Sequence, residues 1–282
     1  MLPVISHSEV ETLSKCERQH WYAFGMRLMK IERGVALTRG IIAHAGMETY
    51  FNAIKLGRTH DEAMDLCAKA ITAEMIKDPN LMLSGAEAQV LIQGFLIKAR
   101  VEISTWQIKD VEKEYRLDFP DFTYAARIDL TAIRSGGILE VFDTKTTYNY
   151  YEPWLVRLLP QVPRYVGMLR ANGIWAAKGN YLFIRTRNIG EGDYRIEPID
   201  PLSDKRIQNS MWDLIKTAKR ILELRAMPKD QWRNSVTRTV DSRICQYCDF
   251  KKLCTRDLED ESIDYLVATE YKDNEYAKSY NP

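Results

Sequence analysis

The sequence predicts an α/β protein in which a mixed central β-sheet is flanked by helices. The stretch over residues 122–147 contains two runs rich in β-branched and aromatic residues. Between them, Ser135-Gly136-Gly137 supplies the positive backbone angles that a short hairpin needs. Long segments with apolar residues at three- and four-residue spacing precede and follow this hairpin, and that spacing is typical of amphipathic helices. Strands and helices are therefore expected to alternate around one sheet.

The other elements follow from capping residues and apolar spacing. Helices are predicted over residues 6–27 with Ser6 or Ser8 as the cap and Cys16 in the middle, over 38–55, over 61–77, and from a capping box at Ser84 to Trp106. A strand over 111–119 leads into the hairpin, a helix covers 161–171, strands cover 180–186 and 193–199, and a long helix follows the cap Ser203. The segment over 227–254 is predicted to be irregular.

Length and composition favour a single elaborated domain over residues 1–265. The 282 residues are 45% hydrophobic, which is enough to bury a sizeable core. The formal net charge of +1 argues for no particular partner. No apolar run reaches membrane-spanning length and the first ten residues do not form a secretory signal, so a cytoplasmic protein is expected. The final residues, 266–282, are expected to be an acidic and mobile tail.

Two acidic residues and a lysine are expected to meet on the hairpin. Asp143 and Lys145 point to the same face because strand side chains alternate, and a turn at Gly136 places Asp129 nearly opposite Asp143. Paired carboxylates repel each other unless a cation lies between them, and hard oxygen ligands favour Mg²⁺ or Mn²⁺. The simpler alternative is that Asp129 caps a bulge while Asp143 and Lys145 form an exposed ion pair.

The five cysteines form an odd number without an export signal, which makes metal binding a better explanation than disulfides. Cys245, Cys248 and Cys254 form a local trio that needs a fourth ligand for a tetrahedral zinc or a cubane iron–sulfur cluster. Cys16 is the candidate, and this pattern favours a cluster. A zinc knuckle completed by His or Asp remains the alternative. Cys67 lies among alanines and is interpreted as a small core residue.

Aromatic and basic side chains alternate after the second hairpin strand. Such an arrangement suits single-stranded DNA, because bases stack on aromatic rings while arginines contact phosphates. The alternative is a loop whose aromatic residues cover the core. The candidate DNA-binding residues are Tyr148, Tyr151, Trp154, Arg157 and Arg164.

With these residues in place, the chain resembles the RecB-like nucleases of the PD-(D/E)xK superfamily. It is most similar to the iron–sulfur branch, which includes AddB-type and CRISPR-associated exonucleases. The matching pieces, in chain order, are Cys16, the Gly-x3-His helix at Gly40–His44, the strands that carry Arg127-Ile128-Asp129 and Asp143-Thr144-Lys145, the QxxxY helix at Gln161 and Tyr165, and the terminal cysteine trio. The resemblance extends from about residue 6 to residue 254.

The resemblance implies roles for these residues. His44, Asp129, Asp143 and the carbonyl oxygen of Thr144 would bind Mg²⁺ or Mn²⁺. Lys145 would activate the attacking water, and Gln161 and Tyr165 would orient Lys145 or a phosphate. Cys16, Cys245, Cys248 and Cys254 would hold a structural 4Fe-4S cluster. The helical part would then cover about residues 6–106, the catalytic core about 111–226, and the cluster segment 227–254 together with Cys16.

The resemblance also implies a function. We expect a metal-dependent DNA exonuclease that acts on single-stranded or duplex ends, with a possible helicase, recombination or CRISPR partner. Two alternatives remain at this point: a catalytically silent DNA-binding subunit of a repair complex, and an iron–sulfur or zinc adaptor protein. The bacterial, archaeal or phage-infected cell is the expected setting.

Overall fold

The computed structural model describes residues 2–32, 34–77, 81–134 and 136–280. Residue contacts divide the chain into two compact units. Unit 1 comprises Met1–Arg33, Arg116–Ala126 and Trp212–Pro282, and unit 2 comprises Gly34–Tyr115 and Arg127–Met211. Ser135, at the predicted hairpin turn, lies outside the described residues. Its neighbours Gly136 and Gly137 both have positive φ angles, as a tight turn requires.

The sheet of unit 2 contains parallel and antiparallel neighbours and is therefore mixed, as predicted. Its strands are β3 (Gln107–Asp118), β4 (Thr123–Ile133), β5 (Leu139–Thr147), β6 (Lys178–Arg185) and β7 (Tyr194–Pro198), of which β3 and β4 begin or end in unit 1. Strand β4 pairs antiparallel with β5, β5 pairs parallel with β6, and β6 pairs antiparallel with β7. Strand β3 pairs with β4. The predicted hairpin is thus confirmed.

Helices cover this sheet in unit 2. Three long helices, α3 (Val35–Lys55), α4 (His60–Lys77) and α5 (Met82–Ile103), precede the sheet in the chain, and α6 (Pro153–Leu158) and α7 (Gln161–Ala171) connect β5 to β6. Apolar side chains of α3, α4 and α5 form one core with those of β4, β5 and β6. Within this core, Trp106 stacks on Phe142 with ring centroids 4.9 Å apart. Cys67 is fully buried there, as expected of a core residue.

Unit 1 joins the two ends of the chain. It contains β1 (Val4–Ser6), α1 (His7–Lys15), α2 (Glu17–His20), a π-helical turn (Trp21–Gly25), β2 (Leu28–Lys30), the second half of α8 (Asp204–Ala226), α9 (Lys229–Ser235), α10 (Ser242–Gln246), α11 (Lys251–Leu258), α12 (Asp264–Glu270), β8 (Tyr271–Asp273) and α13 (Glu275–Tyr280). Strand β1 pairs parallel with the start of β4. A buried ion pair between Arg225 and Glu9 also links the two ends, and Glu9 in turn contacts His20.

Several predicted boundaries are wrong for local reasons. The helix expected over residues 6–27 begins after Ser6, whose side chain accepts a hydrogen bond from the Glu9 N–H, but it is interrupted because Cys16 has an extended backbone with φ −164°. The capping box at Ser84 is also wrong, since α5 already begins at Met82 and Ser84 is buried within it. The segment over 227–254 is not irregular, because it contains α9, α10 and the start of α11.

The end of the chain is ordered by pairing with the beginning. Strand β8 pairs antiparallel with β2, and the Asn274 side chain donates a hydrogen bond to the carbonyl oxygen of Ala23. The segment expected to be a mobile tail therefore contains most of α12, strand β8 and the whole of α13. Among the helices of the described residues, none has both the length and the apolar character that a membrane crossing requires.

Candidate active site

Three side chains from three different elements of unit 2 converge on one point. They are His44 in the middle of α3, Glu112 on β3 and Asp129 on β4, and one ligand atom from each lies within 4.8 Å of the others. The Nδ1 atom of His44 is 3.3 Å from Glu112 Oε1 and 3.8 Å from Asp129 Oδ2. Among the described residues, this is the one such set of three histidine, cysteine or carboxylate donors. A histidine nitrogen with two carboxylates suits a divalent cation.

Glu112 belongs to the site although the sequence did not single it out. Strand alternation places Asp110, Glu112 and Glu114 on the same face, so spacing alone cannot choose among them. The backbone of Glu112 has a φ of +46°, which locally interrupts the regular strand. This left-handed conformation has no sequence signal at a glutamate. Only the position of Glu112 beside His44 and Asp129 in the folded protein distinguishes it from its neighbours on β3.

The two hairpin aspartates occupy neighbouring positions on adjacent strands, as predicted. Leu130 pairs with Phe142 across the hairpin, so Asp129 and Asp143 follow as the next opposed residues. The backbone N–H of Thr144 donates a hydrogen bond of 2.7 Å to Asp129 Oδ2 and thereby orients that carboxylate. The structure thus gives the Thr144 main chain a contact with Asp129 through its N–H.

Asp143 contacts the lysine and is not one of the three converging donors. Its Oδ2 atom lies 2.8 Å from Lys145 Nζ, and its side chain is almost completely buried. Its charge nevertheless acts on two of the three donors, since it raises the pKa of both Asp129 and His44. Asp129, Asp143 and Lys145 thus lie close together on the hairpin. Their catalytic roles stay a prediction.

The electrostatics of the site favour the binding of positive charge. Burial and the neighbouring Asp143 raise the pKa of Asp129 to about 7, because both disfavour the ionised carboxylate. Burial alone would lower the pKa of His44, but the hydrogen bond to Glu112 and the charges of Asp129, Glu112 and Asp143 raise it to about 9. The carboxylates of Glu112, Asp129 and Asp143 therefore outnumber the single positive charge that His44 can supply among them, which favours a cation at this point.

Lys145 is held by a chain of hydrogen bonds that ends on α7. Its Nζ donates to Gln161 Oε1 at 2.8 Å, and Gln161 Nε2 donates to the hydroxyl of Tyr165 at 2.7 Å. Gln161 and Tyr165 are one helical turn apart, which is why they reach the same point. Gln161 and Tyr165 thus form a hydrogen-bonded series with Lys145, as predicted. These hydrogen bonds hold the lysine side chain between Asp143 and Gln161.

We expect Gln161→Ala to lower kcat about 10²-fold while KM and the thermal unfolding temperature stay close to those of the parent, because Lys145 loses the acceptor that positions it. Steady-state kinetics on a labelled DNA strand and a thermal melt measure both quantities. Tyr165→Phe is the matched control, since it keeps the ring and leaves the Lys145–Gln161 bond in place, and its kcat should fall less. An unchanged kcat in Gln161→Ala would contradict the positioning role.

The candidate DNA-binding residues divide into exposed and buried groups. Tyr148 and Trp154 are 61% and 64% exposed, and Arg157 is exposed on α6. Tyr151 packs its ring on Phe183 with centroids 5.2 Å apart, so part of it covers the core. Arg164 is only 4% exposed and donates from Nε to the carbonyl oxygen of Ser210. The expectation that Arg164 contacts DNA is therefore corrected, because its guanidinium connects α7 to α8 in the interior.

The four cysteines outside the core lie around a single cavity in unit 1. Cys16, Cys245, Cys248 and Cys254 all line this cavity, whose volume is about 180 Å³. Their sulfur atoms are free thiols, and all four belong to the described residues. No three of these sulfurs lie within 4.8 Å of one another. The extended backbone at Cys16 and the short helices α10 and α11 bring together residues that are far apart in sequence.

Comparison with known proteins defines the class to which this fold and site correspond. The sequence profile of the PD-(D/E)XK nuclease superfamily matches residues 4–255. The chain belongs to the PD-(D/E)XK nuclease superfamily. The match spans both units and includes every residue of the sites described above.

A solved structure shares the fold of this chain. A crystal structure described as that of a "putative exonuclease" from Eubacterium rectale has a TM-score of 0.57 and 14% identity, and the match covers 91% of this chain and 92% of that one. The structure of SSO0001 has 14% identity and a TM-score of 0.40, over 89% of this chain and 85% of its own, which is too low to establish a common fold. No curated protein matches the sequence significantly.

Proposed function

We propose that the protein is a Mg²⁺- or Mn²⁺-dependent deoxyribonuclease that hydrolyses phosphodiester bonds, with an exonuclease preference for single-stranded DNA ends. The observation that carries this proposal is the convergence of His44, Glu112 and Asp129 near a lysine held by Asp143 and Gln161. A nuclease of this superfamily requires both a cation site and a positioned amine, and unit 2 brings the residues for both together.

The donor set fits a hard divalent cation. His44, Glu112 and Asp129 would hold it, and Asp143 would add a fourth ligand, since its charge already acts on Asp129 and His44. The carbonyl oxygen of Thr144 remains a further predicted ligand. When bound, the cation would lower the pKa of a water molecule and offset the negative charge of the scissile phosphate.

The side chains have distinct tasks in the proposed reaction. Lys145 Nζ holds the attacking water and donates hydrogen bonds to the phosphoryl oxygens as their charge grows. Asp143 and Gln161 hold the ammonium in position, because Asp143 forms an ion pair with it and Gln161 accepts a hydrogen bond from it. The hydroxyl of Tyr165 holds the amide of Gln161 in the orientation that leaves Oε1 toward the lysine.

The preference for single-stranded ends rests on the surface of unit 2. Tyr148 and Trp154 expose their rings beyond the end of β5, and Arg157 adds a positive charge on the same helix as Trp154. Exposed rings can stack on unpaired bases, whereas duplex bases already stack on each other. The proposed exonuclease preference also agrees with the structural neighbour from Eubacterium rectale, which is described as a "putative exonuclease".

We further infer that the four cysteines of unit 1 hold a structural 4Fe-4S cluster. The placement of four cysteines around one cavity, three from a single short segment and the fourth from the N-terminal part of the chain, supports a cluster in which each thiolate binds a different iron. A structural role follows because hydrolysis requires no electron transfer.

End-labelled single-stranded and duplex DNA, incubated with purified protein with and without Mn²⁺, tests the nuclease proposal. We expect shortening from the ends, dependent on Mn²⁺ and faster on the single strand. Trp154→Ala should weaken binding of the single strand about tenfold and change duplex binding less, because it removes about 1–3 kcal/mol of base stacking. Trp175→Ala, another exposed tryptophan of unit 2, is the matched control. No cleavage under any of these conditions would favour the silent DNA-binding subunit.

A further inference from the structure

Two arginines line the cavity that the four cysteines surround. Arg18 comes from α2 and Arg238 from the segment between α9 and α10. Arg18 is only 6% exposed, and its Nε atom is buried without a hydrogen-bond partner. The Nε atom of Arg238 is buried without a partner as well. An unsatisfied buried N–H is costly, so an acceptor in this cavity would be stabilised by both side chains.

The local charge points to an anionic acceptor. A single carboxylate, that of Asp257, contacts three guanidinium groups: Arg18 at 3.2 Å, and Arg233 and Arg238 at 2.5 Å each. It also accepts a hydrogen bond from the Tyr22 hydroxyl. Burial and the repulsion from Arg238 lower the pKa of Arg18. The carboxylate of Asp257 therefore neutralises only one of three guanidinium charges. Two of these guanidinium groups, those of Arg18 and Arg238, line the cavity that the cysteines surround.

We propose that Arg18 donates its Nε–H to a sulfur atom of the group held by Cys16, Cys245, Cys248 and Cys254, and that Arg18 and Arg238 raise the reduction potential of that group. This inference rests on the proposed iron–sulfur cluster. Arg18 is a positioning residue, because it acts through the cluster and not on the DNA.

The direction of the effect follows from charge. Four thiolates make the ligated cluster an anion, and one-electron reduction adds a further negative charge. A buried cation nearby stabilises the reduced form more than the oxidised form, so its presence raises the potential. A hydrogen bond to sulfur acts in the same direction, because it withdraws electron density from the ligand.

The test is a reductive titration of the full chain with dithionite as the electron donor, followed by visible absorbance and electron paramagnetic resonance. Arg18→Met removes the charge and the N–H, and should lower the potential by about 59 mV or more, a tenfold change in a one-electron equilibrium. Arg18→Lys keeps the charge without the Nε–H and should show a smaller shift in the same direction.

Arg233→Met is the matched control. Arg233 contacts the same carboxylate as Arg18, but it is 47% exposed at the side chain and does not line the cavity. Its removal should leave the potential unchanged. A comparable shift in Arg233→Met would overturn the proposal, since the effect would then follow from the Asp257 network and not from the cavity.

Iron content separates the two levels of inference. If wild-type protein purified and reconstituted without oxygen carries no iron, the proposed cluster is wrong and this inference falls with it. If the protein carries a cluster and both Arg18 variants keep the wild-type potential, only the role of Arg18 is wrong. Should Arg18→Met fail to fold, Arg18→Lys decides, because an unchanged potential in that variant overturns the hydrogen bond.

Discussion

Asp129→Asn is expected to reduce Mn²⁺-dependent DNA cleavage about 10³-fold and, at the same time, to stabilise the metal-free protein. Activity falls because the central oxygen donor between His44 and Thr144 loses its charge. The fold remains intact because the asparagine Oδ1 can still accept the hydrogen bond from the Thr144 N–H. Cleavage of labelled DNA and thermal melts of the metal-free protein measure the two effects.

The gain in stability should depend on pH. The pKa of Asp129 is raised to about 7 in the folded protein, above its ordinary value of 3.8. The folded state therefore binds this proton more tightly than the unfolded state does. The resulting stabilisation is complete below pH 3.8 and is lost as the pH rises through 7. Asparagine has no charge to acquire, so its advantage should grow from about pH 4 to about pH 7, to roughly 1–2 kcal/mol, and then level off.

Asp110→Asn is the control for this experiment. Asp110 lies on β3 in the same unit, but its carboxylate contacts Tyr115 and Lys113 and is not one of the three converging donors. Its activity should stay close to that of the parent. Addition of Mn²⁺ should raise the melting temperature of the parent and of Asp110→Asn, but not that of Asp129→Asn. Full cleavage by Asp129→Asn would refute the assignment of the cation site.

Cys248→Ala is expected to lose iron, visible absorbance and stability together. The substitution removes one of the four proposed cluster ligands, which line a cavity within unit 1. We expect a loss of about 3 kcal/mol or more in the free energy of unfolding, which corresponds to a fall of roughly 10 °C in Tm. Iron analysis, the absorbance spectrum and a thermal melt provide the readouts.

Cys67→Ala is the matched control for the cysteine experiment. Cys67 is buried in the core of unit 2 and lies outside the cavity of the other four cysteines. Its replacement should cost about 1 kcal/mol through lost packing and leave the spectrum unchanged. A Cys248→Ala protein that remained fully folded and active without iron would show that the cluster has no structural role.

The sequence predicts the parts of the site that depend on regular geometry. Strand alternation placed Asp143 and Lys145 on one face, the glycine turn set the register that opposes Asp129 to Asp143, and helical spacing aligned Gln161 with Tyr165. Each of these predictions uses a repeat that the backbone enforces over several residues. The long helices α3, α4 and α7 were located for the same reason.

The parts that the sequence did not predict lack such a repeat. The break at Cys16 and the left-handed φ of Glu112 are single-residue events, and neither residue type signals them. Helices α6, α9 and α10 have five to seven residues, which is too short for an apolar period to emerge. Arg164 illustrates a third limit, because a basic residue in a basic segment gave no indication that it would be buried.

The backbone conformation of Glu112 limits the thermodynamic stability of the metal-free protein. A left-handed conformation costs a glutamate about 1 kcal/mol relative to glycine, which adopts it freely. Glycine at this position would relax the backbone and remove one of the three proposed cation ligands. In the proposed site, thermal stability and cation binding would therefore place opposite demands on position 112.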